Sequence, residues 1–285
     1  MNTFLVVVVL IICAQVQAFD VRRLRPIGRQ SVAVSAKRIM RLRALEDGYE
    51  SVQPKISGGF SAELGQIPFQ VSIHSDANEF CGGVIIHPSY VLTSALCATG
   101  GSTFTIHAGV TNLHGDESSR VIVQSTEPII HDGYTNDYLV NDIALLKLSE
   151  QLQFNENISQ ALLPANNDTY ANDPAWISGW GSSYKDGPYS EILQYAPMTV
   201  ISNDECIKTW GESYVTDGRI CARGDSGEGG CTGDEGGPLF KDLSGGGPNL
   251  LIGITSFHSS KGCGIAPDGY TRVSYYRDWI LSNVK

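Results

Sequence analysis

Two near-copies of one glycine-rich sequence lie close together in the segment CARGDSGEGGCTGDEGGPLF, residues 221–240. The first, Gly-Asp-Ser-Gly, contains Ser226, and the second, Gly-Asp-Glu-Gly-Gly-Pro, contains Glu235. A serine hydroxyl is a weak nucleophile, so it needs a histidine to take its proton and an acid to orient that histidine. A carboxylate attacks carbonyl carbons in other enzyme classes. The chemistry of this chain therefore depends on which copy forms the site.

The composition is that of a globular chain of one large domain or two smaller ones, with 42% hydrophobic and 18% charged residues in 285. The net charge of -10 argues against a general nucleic-acid-binding protein. Short apolar or alternating runs, separated by Gly, Pro, Asn and Asp, predict strands of a sandwich or barrel. Only the end, YYRDWILSNVK, has helical periodicity, with Tyr276, Ile280 and Val284 on one face. We therefore predict an all-β fold followed by a C-terminal helix.

The first residues have the pattern of a secretory signal. The apolar run FLVVVVLIICA, residues 4–14, is too short to span a bilayer. Small residues at Val16 and Ala18 predict cleavage after Ala18. We therefore predict a signal peptide over residues 1–18 and a secreted, extracellular protein without a membrane anchor.

Residues 19–55 differ in charge from the rest of the chain. They contain nine Lys and Arg against four Asp and Glu, whereas residues 56–285 contain 11 and 26. A basic segment can dock electrostatically on an acidic domain. An unstructured tail explains the same composition, and both interpretations remain open.

The cysteine content indicates disulfides. Cys13 leaves with the signal peptide, and the remaining six are Cys81, Cys97, Cys206, Cys221, Cys231 and Cys263. An even number in an oxidising compartment predicts three disulfides, for which spacing alone allows 15 pairings. Zinc sites usually contain Cys-x-x-Cys pairs, and the sequence has none. We predict neither a metal nor a cofactor.

Five motifs follow the basic segment in a fixed order: KISGG, FCGGVIIHPSYVLTSALC, NDIALLKL, ISGWG and CTGDEGGPL. In sequence and spacing, residues 56–285 resemble the trypsin-like serine proteases, with a weak leaning toward arthropod chymotrypsin- and collagenase-like members. The resemblance implies two antiparallel six-stranded β-barrels with an active cleft between them. It makes residues 19–55 a propeptide that a protease of trypsin specificity removes by cutting after Lys55. The disulfides that it implies are Cys81–Cys97, Cys206–Cys221 and Cys231–Cys263.

The resemblance also assigns the catalytic positions. The family's histidine lies in Ala-Ala-His-Cys, and this chain has Leu96 there. The acid is present as Asp142, and the serine is replaced by Glu235. The second glycine-rich copy is the site loop because it follows Cys231 at the family's spacing. Ser226, in the first copy, is then a turn residue.

The neighbouring positions are partly retained. Gly233 would supply a backbone N–H of the oxyanion pocket, and Asp234 would receive the new amino terminus of Ile56 after activation. The carboxylate of Glu235 either folds onto the Gly233 N–H or points into solvent. Both alternatives remain open at this stage.

The specificity pocket departs from the family pattern. Gly229 stands at the floor position, and Asp268 aligns with a second floor position that is sometimes acidic in collagenase-like members. Ser256 and His258 belong to the segment that lines the pocket. His258 replaces the usual glycine, so it either closes the pocket mouth or reflects sequence drift.

Two short sequence motifs suggest further functions or modifications. Arg223, Gly224 and Asp225 form the Arg-Gly-Asp tripeptide that integrin-type receptors recognise, although such a match also arises by chance. Asn157, in NIS, and Asn167, in NDT, match the glycosylation pattern.

These observations predict a secreted, catalytically inactive protease homologue that binds a protein partner: a protease, an inhibitor, a substrate or a receptor. One alternative is an active endopeptidase with atypical catalytic residues. Another is a protein that binds integrin-type receptors through its Arg-Gly-Asp loop.

Overall fold

The short, alternating runs of the sequence form two antiparallel sheets in the computed structural model, which describes residues 56, 58–241 and 249–285. The predicted signal peptide and propeptide, residues 1–18 and 19–55, lie outside the described residues. The strands are β1 (Phe60–Ser61), β2 (Gln70–Ser75), β3 (Phe80–His87), β4 (Tyr90–Thr93), β5 (Phe104–Ala108), β6 (Val121–Ser125), β7 (Glu127–Ile130), β8 (Ala144–Lys147), β9 (Pro174–Gly179), β10 (Gln194–Ile201), β11 (Arg219–Arg223), β12 (Pro238–Lys241), β13 (Leu250–Phe257) and β14 (Asp268–Arg272).

The first sheet has the order β6-β5-β2-β3-β4-β8-β7. Only Thr126 separates β6 from β7, so they act as one bent strand that pairs with β5 at one end and with β8 at the other. This bend curls the sheet into a barrel of six strands. Alternation along β5 directs Phe104, Ile106 and Ala108 into the barrel interior.

The second sheet has the order β1-β10-β11-β14-β13-β12-β9, and β9 pairs again with β10. The six strands β9–β14 therefore close into a ring, and the two-residue strand β1 lies outside β10. The architecture of two curled, six-stranded antiparallel barrels agrees with the sequence prediction.

The described residues contain three short α-helices, α1 (Ala95–Ala98), α2 (Asn203–Trp210) and α3 (Arg277–Asn283), and a 3-10 turn over Asp137–Leu139. Helix α2 begins at Ser202, whose hydroxyl accepts a hydrogen bond from Glu205 N at 3.2 Å. Helix α3 is the predicted C-terminal helix, and Ile280 is its buried residue. Within the described ranges, no helix is long and apolar enough to cross a membrane.

Apolar packing and disulfides fix the two barrels around the cleft. An apolar cluster takes residues from both barrels, and Phe69 meets Phe240 in it edge to face, with ring centroids 5.1 Å apart. The disulfides are those that the resemblance implied, Cys81–Cys97, Cys206–Cys221 and Cys231–Cys263. The first ties α1 to β3, and the third ties the Glu235 loop to the segment after β13. The first disulfide therefore anchors the helix that carries Leu96, and the third anchors the loop that carries Glu235.

Candidate active site

Elements of both barrels carry the three positions that the resemblance assigns to catalysis. Helix α1 carries Leu96, the loop before β8 carries Asp142, and the turn before β12 carries Glu235. Backbone hydrogen bonds fix the turn, because Gly82 N of the first barrel donates to the Glu235 carbonyl at 2.8 Å. Gly236 follows with a φ of 78°, and a side chain there would overlap the backbone of β3.

Asp142 is a buried carboxylate that accepts one hydrogen bond on each oxygen. Leu96 N donates to its Oδ1 at 2.9 Å, and the Ser256 hydroxyl donates to its Oδ2. Burial raises the pKa of Asp142, and these donors and the charge of Arg219 act against that rise. The half-buried side chain of Leu96 contains no atom that can accept a proton.

The carboxylate of Glu235 folds back onto its own loop. Its Oε2 accepts a hydrogen bond from Gly233 N at 2.7 Å. The backbone of Gly233 has a φ of 95°, and the ring of Tyr189 packs against it where a side chain would lie. Of the two orientations left open by the sequence, the structure has the one on the Gly233 N–H. The backbone donor expected to hold an oxyanion is therefore occupied by a carboxylate oxygen.

His258 lies on the other side of the same carboxylate. Its Nδ1 is 3.5 Å from Glu235 Oε1, and the two side chains are 16% and 17% exposed. No described residue forms a hydrogen bond with this nitrogen. Protonation of the imidazole would turn the contact into an ion pair. His258 thus covers the Glu235 carboxylate at the expected mouth of the pocket.

Both residues of the expected activation pair are buried. The side chain of Ile56 is fully buried, in an apolar cluster of the second barrel. Asp234 is buried as well, and it accepts hydrogen bonds from Gly181 N at 2.8 Å and Cys231 N at 2.9 Å. Burial raises the pKa of Asp234 to about 7. A positive group next to this carboxylate would stabilise its charged form.

The expected pocket floor contains one buried acid. Asp268 Oδ2 accepts a hydrogen bond from Gly230 N at 2.7 Å, and Oδ1 has no hydrogen-bond partner in the described part of the chain. Burial raises the pKa of Asp268 to about 8. Gly229 has no room for a side chain, because a Cβ there would lie 2.8 Å from Gly264 Cα. The Ser256 hydroxyl, in contrast, belongs to the Asp142 network.

Comparison with known proteins identifies this arrangement. A sequence profile of the trypsin family matches residues 56–280. The chain belongs to the trypsin family, whose members are serine endopeptidases. It is 36% identical to chymotrypsin-2 of Vespa crabro over 80% of this chain and 99% of that protein. It is 35% identical to brachyurin of Leptuca pugilator over 79% of this chain and 96% of that protein. The solved structure of HL collagenase superposes with a TM-score of 0.72 at 32% identity, covering 81% of this chain and all of that chain.

The Arg-Gly-Asp tripeptide lies at the end of β11 rather than at the tip of a free loop. Arg223 Nη1 is 2.6 Å from Glu205 Oε1, and this pair is solvent-exposed. Gly224 is packed against Glu228, while Asp225 is exposed. The Arg223 side chain is therefore already paired with Glu205 in this fold.

The remaining predicted residues lie on the surface. Ser226 is exposed and its N–H donates to Glu228 Oε2 at 2.7 Å. Asn167 is exposed, and its Oδ1 accepts a hydrogen bond from the Ser274 hydroxyl at 3.1 Å. Asn157 is half-buried, so Asn167 is the more accessible of the two glycosylation acceptors.

Sequence reasoning missed Arg219, which the structure places beside the Asp142 network. This arginine is 2% exposed, and its Nη1 donates to the Ser256 hydroxyl at 2.8 Å. The signal was present in the sequence, because a charged residue opens the apolar run Arg-Ile-Cys-Ala of strand β11. A charge at such a position requires a buried partner.

Proposed function

We propose that this chain is a secreted, catalytically inactive member of the trypsin family that acts by binding a protein partner. The observation that carries the proposal is the hydrogen bond from Gly233 N to Glu235 Oε2. The carboxylate takes the place of the nucleophile and also uses a donor on which an oxyanion would depend. Leu96 supplies no base on the other side of the cleft.

The chemical loss is large. Removing the nucleophile or the base of such a triad costs about 10⁶ in kcat. This corresponds to about 8 kcal/mol of barrier height. Attack by Glu235 itself would form an anhydride, and no acid at position 96 would protonate the leaving amine. A negative carboxylate also repels the negative oxygen that develops during peptide hydrolysis.

The partner that suits the pocket presents a basic side chain. Asp268 has a buried oxygen without a hydrogen-bond partner among the described residues, and an ammonium or guanidinium group would satisfy it. The lack of hydrolysis would then allow the complex to persist. A protease, an inhibitor or an uncleaved substrate with an exposed Lys or Arg fits this description, and a receptor with such a residue fits it equally.

One observation favours a second candidate, an endopeptidase with atypical groups. The imidazole of His258 lies 3.5 Å from the Glu235 carboxylate. Such a pair could act as a general base toward a water molecule. In this mechanism Glu235 would have to leave Gly233 N, since the substrate oxygen needs that donor.

The test uses protein cut before Ile56 and a peptide library, with a serine-directed organophosphorus probe as a second readout. We expect neither hydrolysis nor labelling, whereas an active trypsin-family protease in the same assays shows both. Stoichiometric labelling of a serine would refute the proposal. Hydrolysis that disappears in both Glu235→Gln and His258→Gln would establish the atypical mechanism instead, and hydrolysis that survives both would identify a contaminant.

A further inference from the structure

Arg219 is a buried arginine with two hydroxyl contacts directed toward Asp142. Its Nη1 donates to the Ser256 hydroxyl at 2.8 Å and to the Thr271 hydroxyl at 3.2 Å. The Ser256 hydroxyl in turn donates to Asp142 Oδ2, and the Thr271 hydroxyl donates to the Asp142 carbonyl at 2.6 Å. The Ser256 hydroxyl therefore links the guanidinium to the carboxylate of Asp142, and the Thr271 hydroxyl links it to the backbone carbonyl of the same residue.

The other end of the guanidinium holds the chain just before Asp142. Arg219 Nη2 donates to the carbonyl of Tyr138 at 3.2 Å and also to that of Leu139. Tyr138, Leu139 and Asn141 have φ values of 58°, 50° and 53°, which non-glycine residues rarely adopt. Such backbone persists only where surrounding contacts fix it. Arg219 supplies two of those contacts.

Among the described residues, the titratable groups that act on Arg219 besides Asp142 are two phenols. The phenols of Tyr134 and Tyr276 lie near Arg219, and burial raises the pKa of each to about 12, so both are neutral. The ring of Phe257 lies 5.4 Å from the guanidinium carbon, within the range of a cation–π contact.

A buried carboxylate needs a positive partner or it takes up a proton. In a working triad the histidine provides that partner when it becomes protonated. Leu96 cannot do so. We propose that Arg219 is the counter-ion of Asp142 in this chain: it keeps the carboxylate charged without a histidine and holds residues 138–141 in place. Arg219 is thus a positioning residue.

The proposal has a consequence for any restored triad. A carboxylate already compensated by a guanidinium stabilises an imidazolium less than an uncompensated one does. Restoring the missing histidine and serine would therefore leave a weak base, because Arg219 would still attract the charge of Asp142. Full recovery requires a third change, at Arg219. This inference depends on the absence of an imidazole at position 96 and not on the proposed partner.

The first test is a double-mutant cycle in urea with Arg219→Met and Asp142→Asn. We expect Arg219→Met alone to lower the ratio of folded to unfolded protein about 100-fold, because it leaves the buried charge of Asp142 unpaired. In the Asp142→Asn background, the loss in this ratio on adding Arg219→Met should be smaller by a factor of at least about ten. Arg219→Lys should recover part of the loss, since it restores the charge but not the fork. Additive effects would overturn the proposal by showing that Arg219 contributes packing alone.

The second test adds Arg219→Met to the pair Leu96→His and Glu235→Ser. We expect the pKa of the introduced imidazole, followed by NMR, to rise by about one unit and peptide hydrolysis to increase about tenfold. An unchanged titration and rate would contradict the proposal. If Arg219→Met alone does not fold, Arg219→Lys takes its place in the cycle and is measured with and without Asp142→Asn. The Asp142→Asn/Arg219→Met protein, which lacks both charges, is then the reference. Hydrolysis by the unmodified chain would refute the proposed function without affecting the cycle.

Discussion

Replacing Asp268 with asparagine should change how the stability of the fold depends on pH. Burial raises the pKa of this carboxyl from 3.8 to about 8. The folded state therefore binds the proton more tightly than the unfolded state does. The contribution of Asp268 to stability is complete below about pH 4 and is lost as pH rises toward and through 8.

The size of this loss follows from the shift. Each pKa unit corresponds to about 1.4 kcal/mol, so a shift of about four units gives a loss on the order of 5 kcal/mol between pH 4 and pH 8. Burial is the main cause of this shift, and among the described residues the carboxylate has few donors to offset it: Gly230 N at 2.7 Å and the more distant Tyr270 hydroxyl at 3.5 Å, both on Oδ2. Asp268→Asn retains an acceptor for Gly230 N and removes the titration.

The assay is urea unfolding at several values between pH 5 and pH 9, with Asp137→Asn, a change at an exposed aspartate, as control. Wild type and the control should lose several kcal/mol more than Asp268→Asn over this range. Parallel pH profiles would refute the reasoning. Added n-butylamine should stabilise the wild type at pH 8 and leave Asp268→Asn unchanged. Equal effects on both would contradict binding of a basic side chain at Asp268.

Cleavage before Ile56 should raise the Tm at neutral pH, because the new ammonium group gives the buried Asp234 carboxylate a partner. Calorimetry of intact and trypsin-treated protein measures this change. An unchanged Tm would count against the pairing. Gly236→Ala should destabilise the fold more than Gly211→Ala in urea titrations. The φ values are 78° and 80°, but only at Gly236 does a Cβ overlap neighbouring atoms, so equal losses would show that overlap is unimportant. Ser202→Ala should cost about 1 kcal/mol in the same titration, since the hydroxyl caps α2; no measurable loss would contradict that role.

The parts of the fold that could be predicted are those written into short sequence motifs. Strand alternation indicated a sandwich or a barrel, and the resemblance implied the two barrels and the three disulfide pairs. The division between β6 and β7 was not predictable from alternation. It depends on a bend at Thr126 that lets one strand pair with two neighbours. Such a bend is set by barrel closure, which is a tertiary property.

The candidate site divides in the same way. The resemblance assigns Leu96, Asp142 and Glu235 to the catalytic positions by motif, and that assignment stays a prediction. The orientation of the Glu235 side chain remained open, because a glutamate in a glycine-rich turn can reach either solvent or the backbone. The contact between Arg219 and Ser256 links positions 37 residues apart and needs the pairing of β11 with β14 and of β14 with β13. Motifs describe local sequence, whereas this contact depends on barrel topology.

The presence of Asp142 therefore does not by itself indicate catalysis. Leu96 N and the Ser256 hydroxyl both donate to its carboxylate, and its carbonyl accepts from Thr271. Removing the carboxylate would leave two buried donors without an acceptor, each at a cost of about 1–3 kcal/mol. Leu96 breaks none of these bonds, because the donor at this position is a backbone N–H and not the imidazole. Under the proposed function, the acid thus serves the fold in a chain without a working base or nucleophile, with the charge of Arg219 as its compensation.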